Sequence, residues 1–320
     1  MTTGKNNDSA WHIPVMLQET LDLLQPAPGK VMVDATLGGG GHAAAMLEKL
    51  LPGGKLIGLD WDRESLTEAS ERLNAYKEAF CPVKANFRDL HAVLEECGVE
   101  GLDGILFDLG VSSHQLDSPK RGFAYRRDDP LDMRMDVQLK QTAAELLNNL
   151  SHGELAFLFR RYGEEKWAGR IASFILERRN REAITRSGQL VEIIRDAIPA
   201  AARRTGGHPA KRVFQALRIA VNDELESLQS GLNQGIDALR PGGRIVVIAY
   251  HSLEDRLVKE TFRHYSKGCI CPPQFPVCRC GKVSKLKLFT RKPLLPTAEE
   301  TEINPRARSA RLRGGERKPD

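Results

Sequence analysis

The sequence predicts an α/β fold: an open parallel sheet that carries an inserted all-helical domain. Three observations lead there. Short apolar runs that end in carboxylates alternate with helix-compatible stretches from residue 31 to 108. The alternation then stops, and from Thr142 to about Leu228 the pattern is helical throughout. It resumes with the apolar run Arg244–Ala249. Strand–helix alternation with short connections is the mark of crossover-linked parallel strands.

The elements follow in order. Val15, Leu17, Leu21 and Leu24 give residues 15–24 a helical stripe, stopped by Pro26 and Pro28. Strand 31–34 precedes helix 42–51, which ends at Pro52-Gly53-Gly54; strand 55–59 and helix 63–79 come next. A short strand near 81–84, a helix over 88–97 and strand 104–107, ending in Asp108, complete the first half. Residues 117–136 are rich in Asp, Pro and Arg and have no clear period. After the helical stretch, helix 222–239 ends at Pro241-Gly242-Gly243, strand 244–249 follows, and then helix 253–264. Weaker strand candidates lie at 285–289 and 309–313. Residues 1–115 and 222–320 are therefore expected to form one discontinuous domain, and residues 116–221 the inserted helical one.

Composition sets outer bounds. A chain of 320 residues that is 41% hydrophobic and 28% charged can bury a sizeable core. No run reaches the ~20 apolar residues that span a bilayer. Met1 to Trp11 is polar without an apolar leader core, so a cytoplasmic protein with reduced cysteines is expected. The net charge of +5 is unevenly spread. Residues 1–115 carry 9 basic and 17 acidic side chains, whereas residues 116–221 carry 20 and 13. Residues 222–281 balance, and residues 282–320 carry 11 basic against 5 acidic. Arginine-rich helices often merely solvate their outer faces. Two basic segments beside an acidic one nevertheless favour a polyanionic partner, with nucleic acid the first candidate.

The chemistry concentrates at Val31-Met32-Val33-Asp34-Ala35-Thr36-Leu37-Gly38-Gly39-Gly40-Gly41-His42. A buried strand, a glycine loop and a helix start form the arrangement by which open α/β sheets hold nucleotide-like ligands. The glycines satisfy the dinucleotide fingerprint, but four in a row match many templates. Asp34 discriminates, because a carboxylate there opposes a pyrophosphate. S-adenosylmethionine carries an ammonium and a sulfonium instead, which acids attract. Asp60 ends the second strand and suits ribose hydroxyls, and Asp108 adds a third acid at the fourth strand tip. Three carboxylates favour S-adenosylmethionine over a nicotinamide cofactor; a turn or capping acid is the plainer reading of Asp34.

Several blocks together resemble the RsmH (MraW) family, which methylates N4 of a cytidine in the decoding region of bacterial 16S rRNA. They are His12-Ile13-Pro14-Val15-Met16, Asp34 to His42, Asp108-Leu109-Gly110-Val111-Ser112-Ser113-His114-Gln115-Leu116-Asp117 and Arg121-Gly122-Phe123-Ala124-Tyr125. Pro130-Leu131-Asp132-Met133-Arg134-Met135, Tyr250-His251-Ser252-Leu253-Glu254-Asp255-Arg256 and Asn304-Pro305-Arg306-Ala307-Arg308-Ser309 continue the likeness across nearly the whole chain. The resemblance implies a class I S-adenosylmethionine-dependent methyltransferase sheet (Rossmann-like) with a helical insertion that helps bind rRNA. It implies cofactor contacts from Gly40, Gly41, His42, Asp60, Phe87 beside the adenine, Asp108 and Gln115. The residues themselves point to the glycine loop, Asp60 and Asp108, but not to Phe87 or Gln115; Phe87 otherwise reads as core, and His42 as a first-turn helix residue.

Methylating a cytosine amine requires orienting a poorly nucleophilic nitrogen and releasing a proton. Many amino-methylating enzymes grip the amine with Asp/Asn-Pro-Pro-aromatic at the fourth strand tip. Here the position reads Asp108-Leu109-Gly110-Val111, so the grip is of another kind. Tyr250, His251 and Ser252 at the fifth strand tip are the further target-side candidates, with helix capping the competing role for His251. Arg121, Arg126, Arg127 and Arg134, and Arg306, Arg308, Arg311 and Arg313 in the tail, are the candidate phosphate contacts. A base presented singly from a loop or junction fits such a pocket better than a plain duplex. Cys269, Cys271, Cys278 and Cys280 pair two C-x-C units. Zinc hairpins usually use C-x2-C, so four reduced thiols are favoured and a zinc site is the alternative. Two other classes stay open: a nicotinamide-dependent oxidoreductase, and a non-catalytic RNA-binding sensor. The oligomeric state, a homodimer included, is left open.

Overall fold

The structure, a computed structural model, describes residues 14–111, 115, 118–203, 208–272, 274–275 and 277–319. Of the motif residues above, His12, Ile13, Ser112, Ser113, His114, Leu116 and Asp117 lie outside these. The chain forms two units: Met1–Gly110 with Gln229–Asp320, and Val111–Leu228.

The first unit is built on a sheet of β1 (Val31–Asp34), β2 (Lys55–Asp60), β3 (Phe80–Lys84), β4 (Leu102–Asp108), β5 (Leu239–Ala249), β6 (Leu286–Leu288) and β7 (Arg311–Arg317). Their order across the sheet is β3-β2-β1-β4-β5-β7-β6. The first five are parallel, as expected. The last two are not: β7 runs antiparallel to β5 and β6 antiparallel to β7. An otherwise parallel sheet commonly ends this way, since an antiparallel strand needs no helical crossover to reach its neighbour. Pro82 is tolerated in β3 because that strand is a sheet edge. Buried Met32, Val33, Leu56, Ile57, Leu59, Ile105, Leu106, Phe107 and Ile245–Ala249 make the sheet's apolar centre. Strands that are buried on both faces read as near-continuous apolar runs, which is why β1, β2, β4 and β5 were legible.

Helix α1 (Leu17–Leu24) precedes β1, and α2 (Gly41–Leu50), α3 (Arg63–Arg72) and α4 (Leu90–Glu96) connect the early strands. The helix expected over 63–79 ends instead at Arg72, and a 3-10 turn over Asn74–Tyr76 leads into β3. The fifth strand starts earlier than expected, at Leu239, but its regular pairing with β4 begins only at Arg244, after the Pro241-Gly242-Gly243 irregularity.

The second unit is helical: α5 (Ala143–Asn149), α6 (His152–Gly163), α7 (Ala168–Arg179), α8 (Ser187–Ala197), α9 (Ala200–Arg203) and α10 (Ala210–Asn222). Reciprocal capping boxes, Thr142 with Glu145 and Ser151 with Glu154, start α5 and α6. Val213, Phe214, Leu217 and Val221 form the buried stripe of α10, which packs on α6. Helix α11 (Glu224–Ala238) carries the chain back to the sheet unit, whose last helices are α12 (Ser252–Ser266) and α13 (Ala298–Ile303).

Candidate active site

In the sheet unit the strand order reverses between β1 and β4, and ligands of open α/β sheets bind at the carboxyl ends of strands flanking that point. Asp34 and Asp108 stand at these two ends, and Asp60 ends β2. Hydrogen bonds lock the three tips. The Thr36 amide donates to Asp34 Oδ1 at 3.2 Å, and the Asp108 amide donates to Thr36 Oγ1 at 2.6 Å. Asp60 accepts from the amides of Gly38 and Asp62, both at 2.9 Å. Asp60 is thus the anchor of the glycine loop as well as a strand-tip acid.

Three of the four loop glycines have a local reason to be glycine. Gly38 and Gly40 have φ of +49° and +73°. A Cβ on Gly41 would sit 2.6 Å from Pro14 Cγ, so its role is close packing under the helix start. A Cβ on Gly39 would have nothing within 4 Å. The Arg72 guanidinium, on α3, holds the Gly39 carbonyl at 3.0 Å. Thr36 and Arg72 were missed by sequence reasoning, because both act through backbone atoms that no motif reveals.

The three acids are electrostatically costly where they stand. Burial raises Asp34 and Asp60 each to about 6, against the amide bonds that lower them. Burial likewise raises Asp108 to about 7, opposed by the hydrogen bond from Tyr250. Asp34 feels Asp60 and Asp108 as like charges. A cation placed among them would relieve both burdens at once. That donor set, beside a loop with open space at Gly39, fits a sulfonium- and ammonium-bearing ligand and not a pyrophosphate.

His42, on the first turn of α2, is buried, and burial lowers its pKa, so the ring is neutral near pH 7. Its Nε2 lies 3.0 Å from the Val15 carbonyl, which can only accept, and this assigns the proton to Nε2. Nδ1 then turns a lone pair towards Asp108 Oδ2 at 3.6 Å. The contact is therefore not an ion pair. Two acceptors face each other, an arrangement that favours a donor between them or a proton on Asp108.

At the end of β5 the Tyr250 hydroxyl donates to Asp108 Oδ1 at 2.7 Å. Burial and the neighbouring Asp108 carboxylate raise Tyr250 well above its usual value, so it remains a donor. His251 caps α12: its Nδ1 accepts from the Glu254 amide at 3.3 Å, and Glu254 answers by accepting from the amides of Tyr250 and His251 at 2.8 and 3.1 Å. Of the two roles considered for His251, the cap is the one the geometry shows, and its partner Glu254 also holds the Tyr250 amide. Ser252 opens that helix. Glu254, buried and unanticipated, is the second half of the device. Phe87 is half-buried in a 3-10 turn after β3 and meets Phe107 edge-on at 5.6 Å. Gln115 belongs to the helical unit.

The candidate RNA-binding arginines separate into two kinds. Arg121 is buried within the helical unit and donates to the carbonyls of Arg134 and Met135. Arg313 is buried on β7 against Asp255 at 2.7 Å. Neither presents its charge at a surface, which corrects the expectation for both. Arg134 is also committed, fork-to-fork with Asp132 at 2.7 and 2.8 Å and to the carbonyls of Val137 and Leu139. Arg127 pairs with Asp129 at 3.1 Å, and Arg311 with Asp255 at 3.0 Å, each partly exposed. Arg126, Arg306 and Arg308 are exposed.

Residues 9–318 match the model of the MraW methylase family. The chain belongs to that family. Its relatives include proteins named ribosomal RNA small subunit methyltransferase H from Heliobacterium modesticaldum and Geobacter sulfurreducens. The first is 54% identical over 307 residues, covering 96% of this chain and 98% of the relative. The second is 54% identical over 306 residues, with the same coverage. Among solved structures, a putative rRNA methylase from Clostridium thermocellum aligns over 96% of this chain and 99% of its own, at 12% identity and a TM-score of 0.45. Family membership makes the chain a methylase, and the strand-tip crevice is where such chemistry would be housed. Among the described residues no helix is long and apolar enough to cross a membrane.

Proposed function

We infer that this protein transfers a methyl group from S-adenosylmethionine to N4 of a cytidine in the decoding region of 16S rRNA, acting in the cytoplasm. The carrying observation is the set of three burdened carboxylates at the ends of β1, β2 and β4 around a glycine loop. The relatives' shared name supplies the substrate class.

The cofactor supplies an electrophilic methyl on a positive sulfur. In this reading Asp60 accepts from the ribose hydroxyls, Phe87 flanks the adenine, and Gly40, Gly41 and His42 shape the amino-acid side. Asp34 stabilises the ligand's positive charge through space. Asp108 and Tyr250 serve the target. A carboxylate with a pKa of about 7 can accept a hydrogen bond from the N4 amine and take its proton as the N–C bond forms and the C–S bond breaks. The Tyr250 hydroxyl fixes one Asp108 oxygen, which leaves the other for the amine. His251 and Ser252, at the start of α12, hold Tyr250 in place and line the target side. This arrangement stands in for the Asp/Asn-Pro-Pro-aromatic grip. Residues 116–221 bind the rRNA, with Arg126 on a phosphate, and Arg306, Arg308 and Arg311 in the basic tail meet further phosphates.

The test is transfer of labelled methyl from the cofactor to small subunits or 16S rRNA that lack the modification, followed by nuclease digestion and mass spectrometry. N4-methylcytidine at one position is the expected product. Label on a ring carbon, or on no nucleoside of any precursor or assembled subunit, overturns the reading.

A further inference from the structure

The connection from α12 to β6, residues 267–285, contains no helix or strand among its described residues, and none of them is buried. Ile270, Phe275, Val277 and Val283 are instead 59%, 48%, 70% and 70% exposed. A loop of this length without secondary structure needs another source of order, and hydrophobic burial does not supply it. Its neck is closed: the Lys285 amide donates to the Tyr265 carbonyl, Ser284 Oγ to the Ser266 carbonyl and Lys282 Nζ to the His264 carbonyl, all at 2.8 Å. Beyond the neck, the thiols of Cys269, Cys271, Cys278 and Cys280 converge with all four sulfurs within 4.8 Å of one another.

The spacing of these sulfurs is diagnostic. Cys278 and Cys280 Sγ are 3.6 Å apart, and Cys280 and Cys269 Sγ 3.9 Å. A disulfide requires about 2.05 Å, so these are separate thiols. Four thiolates at about 2.3 Å from a tetrahedral zinc ion stand about 3.8 Å from each other. Iron–sulfur clusters hold their cysteines on separate irons and so spread them wider. The backbone is arranged for thiolates too. The amides of Ile270, Cys271 and Arg279 donate to the sulfurs of Cys280, Cys269 and Cys271 at 3.4, 3.4 and 3.3 Å. Such bonds spread negative charge from a metal-bound thiolate and fix its direction.

We propose that Cys269, Cys271, Cys278 and Cys280 bind one structural zinc ion, which folds the loop between α12 and β6. Four protein ligands close the coordination sphere, so the ion is structural and takes no part in methyl transfer. The sequence spacing had favoured reduced thiols because C-x-C is unusual for a zinc hairpin. The fold resolves this by bringing the two C-x-C units face to face, each supplying one edge of the tetrahedron. The binding energy of the ion replaces the core that the loop lacks. It also holds Phe275 and Arg279 together on the exposed surface, with the guanidinium 5.8 Å from the ring centroid.

The experiment uses the full chain, purified under reducing conditions without chelator. Elemental analysis is expected to give one zinc per chain, released in one equivalent when a mercurial blocks the thiols. Cys269→Ser and Cys278→Ser are expected to lose the ion, while Cys81→Ser and Cys97→Ser retain it. Cobalt added to the stripped, reduced protein should give the intense visible bands of a tetrahedral tetrathiolate. S-adenosylmethionine affinity serves as the control for folding and should stay unchanged in the serine variants, while proteolysis within 267–285 quickens. Zinc retained in full by Cys278→Ser overturns the proposal. So does stoichiometric iron in place of zinc, or a stripped protein that gives no tetrathiolate spectrum with cobalt.

Discussion

The strand-tip crevice of the sheet unit and the irregular segment 121–136 of the helical unit are both dense in charge, yet they treat it in opposite ways. In the crevice, Asp34, Asp60 and Asp108 are like-signed and, among the described residues, receive hydrogen bonds only from backbone amides and Tyr250. Their raised pKa values record charge that the protein alone does not balance. In the segment, Arg121, Arg127 and Arg134 are matched to carbonyls and to Asp129 and Asp132, and Arg134 holds Asp132 below the usual carboxylate range. Unbalanced charge marks a place for a ligand, whereas balanced charge marks architecture. A count of arginines cannot separate the two.

The sharpest way to break this contrast is Asp108→Asn. The amide keeps the size and an acceptor for Tyr250, but it cannot take a proton. Loss of turnover of about 10²–10⁴-fold is expected, with cofactor affinity changed far less, as measured by single-turnover methylation and calorimetry. Equal losses in both would place Asp108 on the cofactor instead. Asp60→Ala should show the reverse signature. It removes the anchor of Gly38 together with the ribose acceptor, and about 1.5–3 kcal/mol of cofactor binding goes with them.

Arg121→Ala tests the architectural half. A buried guanidinium that bridges two carbonyls leaves both unsatisfied, at a cost of about 2–3 kcal/mol in the stability of the helical unit. Denaturant unfolding checks it, and a folded, equally stable variant would mean that the segment does not depend on this residue.

The pH dependence follows from the same contrast. Asp34 has a folded value of about 6, above its ordinary one. Its burial therefore costs nothing below pH about 4, grows through the interval to about 6, and is complete above it. Without cofactor, Asp34→Asn is expected to be the more stable protein at pH 8, by about 2–3 kcal/mol, and equal to the parent at pH 4. With cofactor the order narrows, because a cation offsets the charge. The thermal shift that S-adenosylmethionine produces should thus grow from pH 5 to pH 8 in the parent and be flatter in the variant. A shift independent of pH in both would remove Asp34 from the site.

Legibility in the sequence tracked the same division. Asp34, Asp60 and Asp108 were visible because each ends a run of buried apolar residues, and a strand's carboxyl end is where chemistry sits. Tyr250 and His251 were found by that rule as well. Thr36, Arg72 and Glu254 were not, since they act on backbone atoms brought near by the fold. Gly41 looked like a ligand contact and is also a packing necessity against Pro14, which only three-dimensional proximity reveals. The antiparallel β6 and β7 were faint because they are short or glycine-bearing: β6 has three residues, and Gly314 and Gly315 interrupt β7. Arg121 and Arg313 read as surface charges because their partners, the carbonyls of residues 134 and 135 and the carboxylate of Asp255, are not sequence neighbours.

The smallest expected effect belongs to the exposed arginines. Arg126→Ala and Arg308→Ala each remove a solvated charge, so stability should hold while rRNA affinity falls a few-fold at moderate salt. The decisive readout is the slope of log affinity against log salt. Removing one arginine–phosphate interaction should reduce it by about 0.7–0.9, the contribution of one released counterion. Arg313→Ala should instead destabilise the sheet unit, because buried Asp255 loses its buried partner and keeps the half-exposed Arg311, through a loss of folding and not of salt sensitivity. If Arg126→Ala and Arg308→Ala leave the slope untouched, the basic charge of these segments is solvation, and the RNA is held elsewhere on the protein.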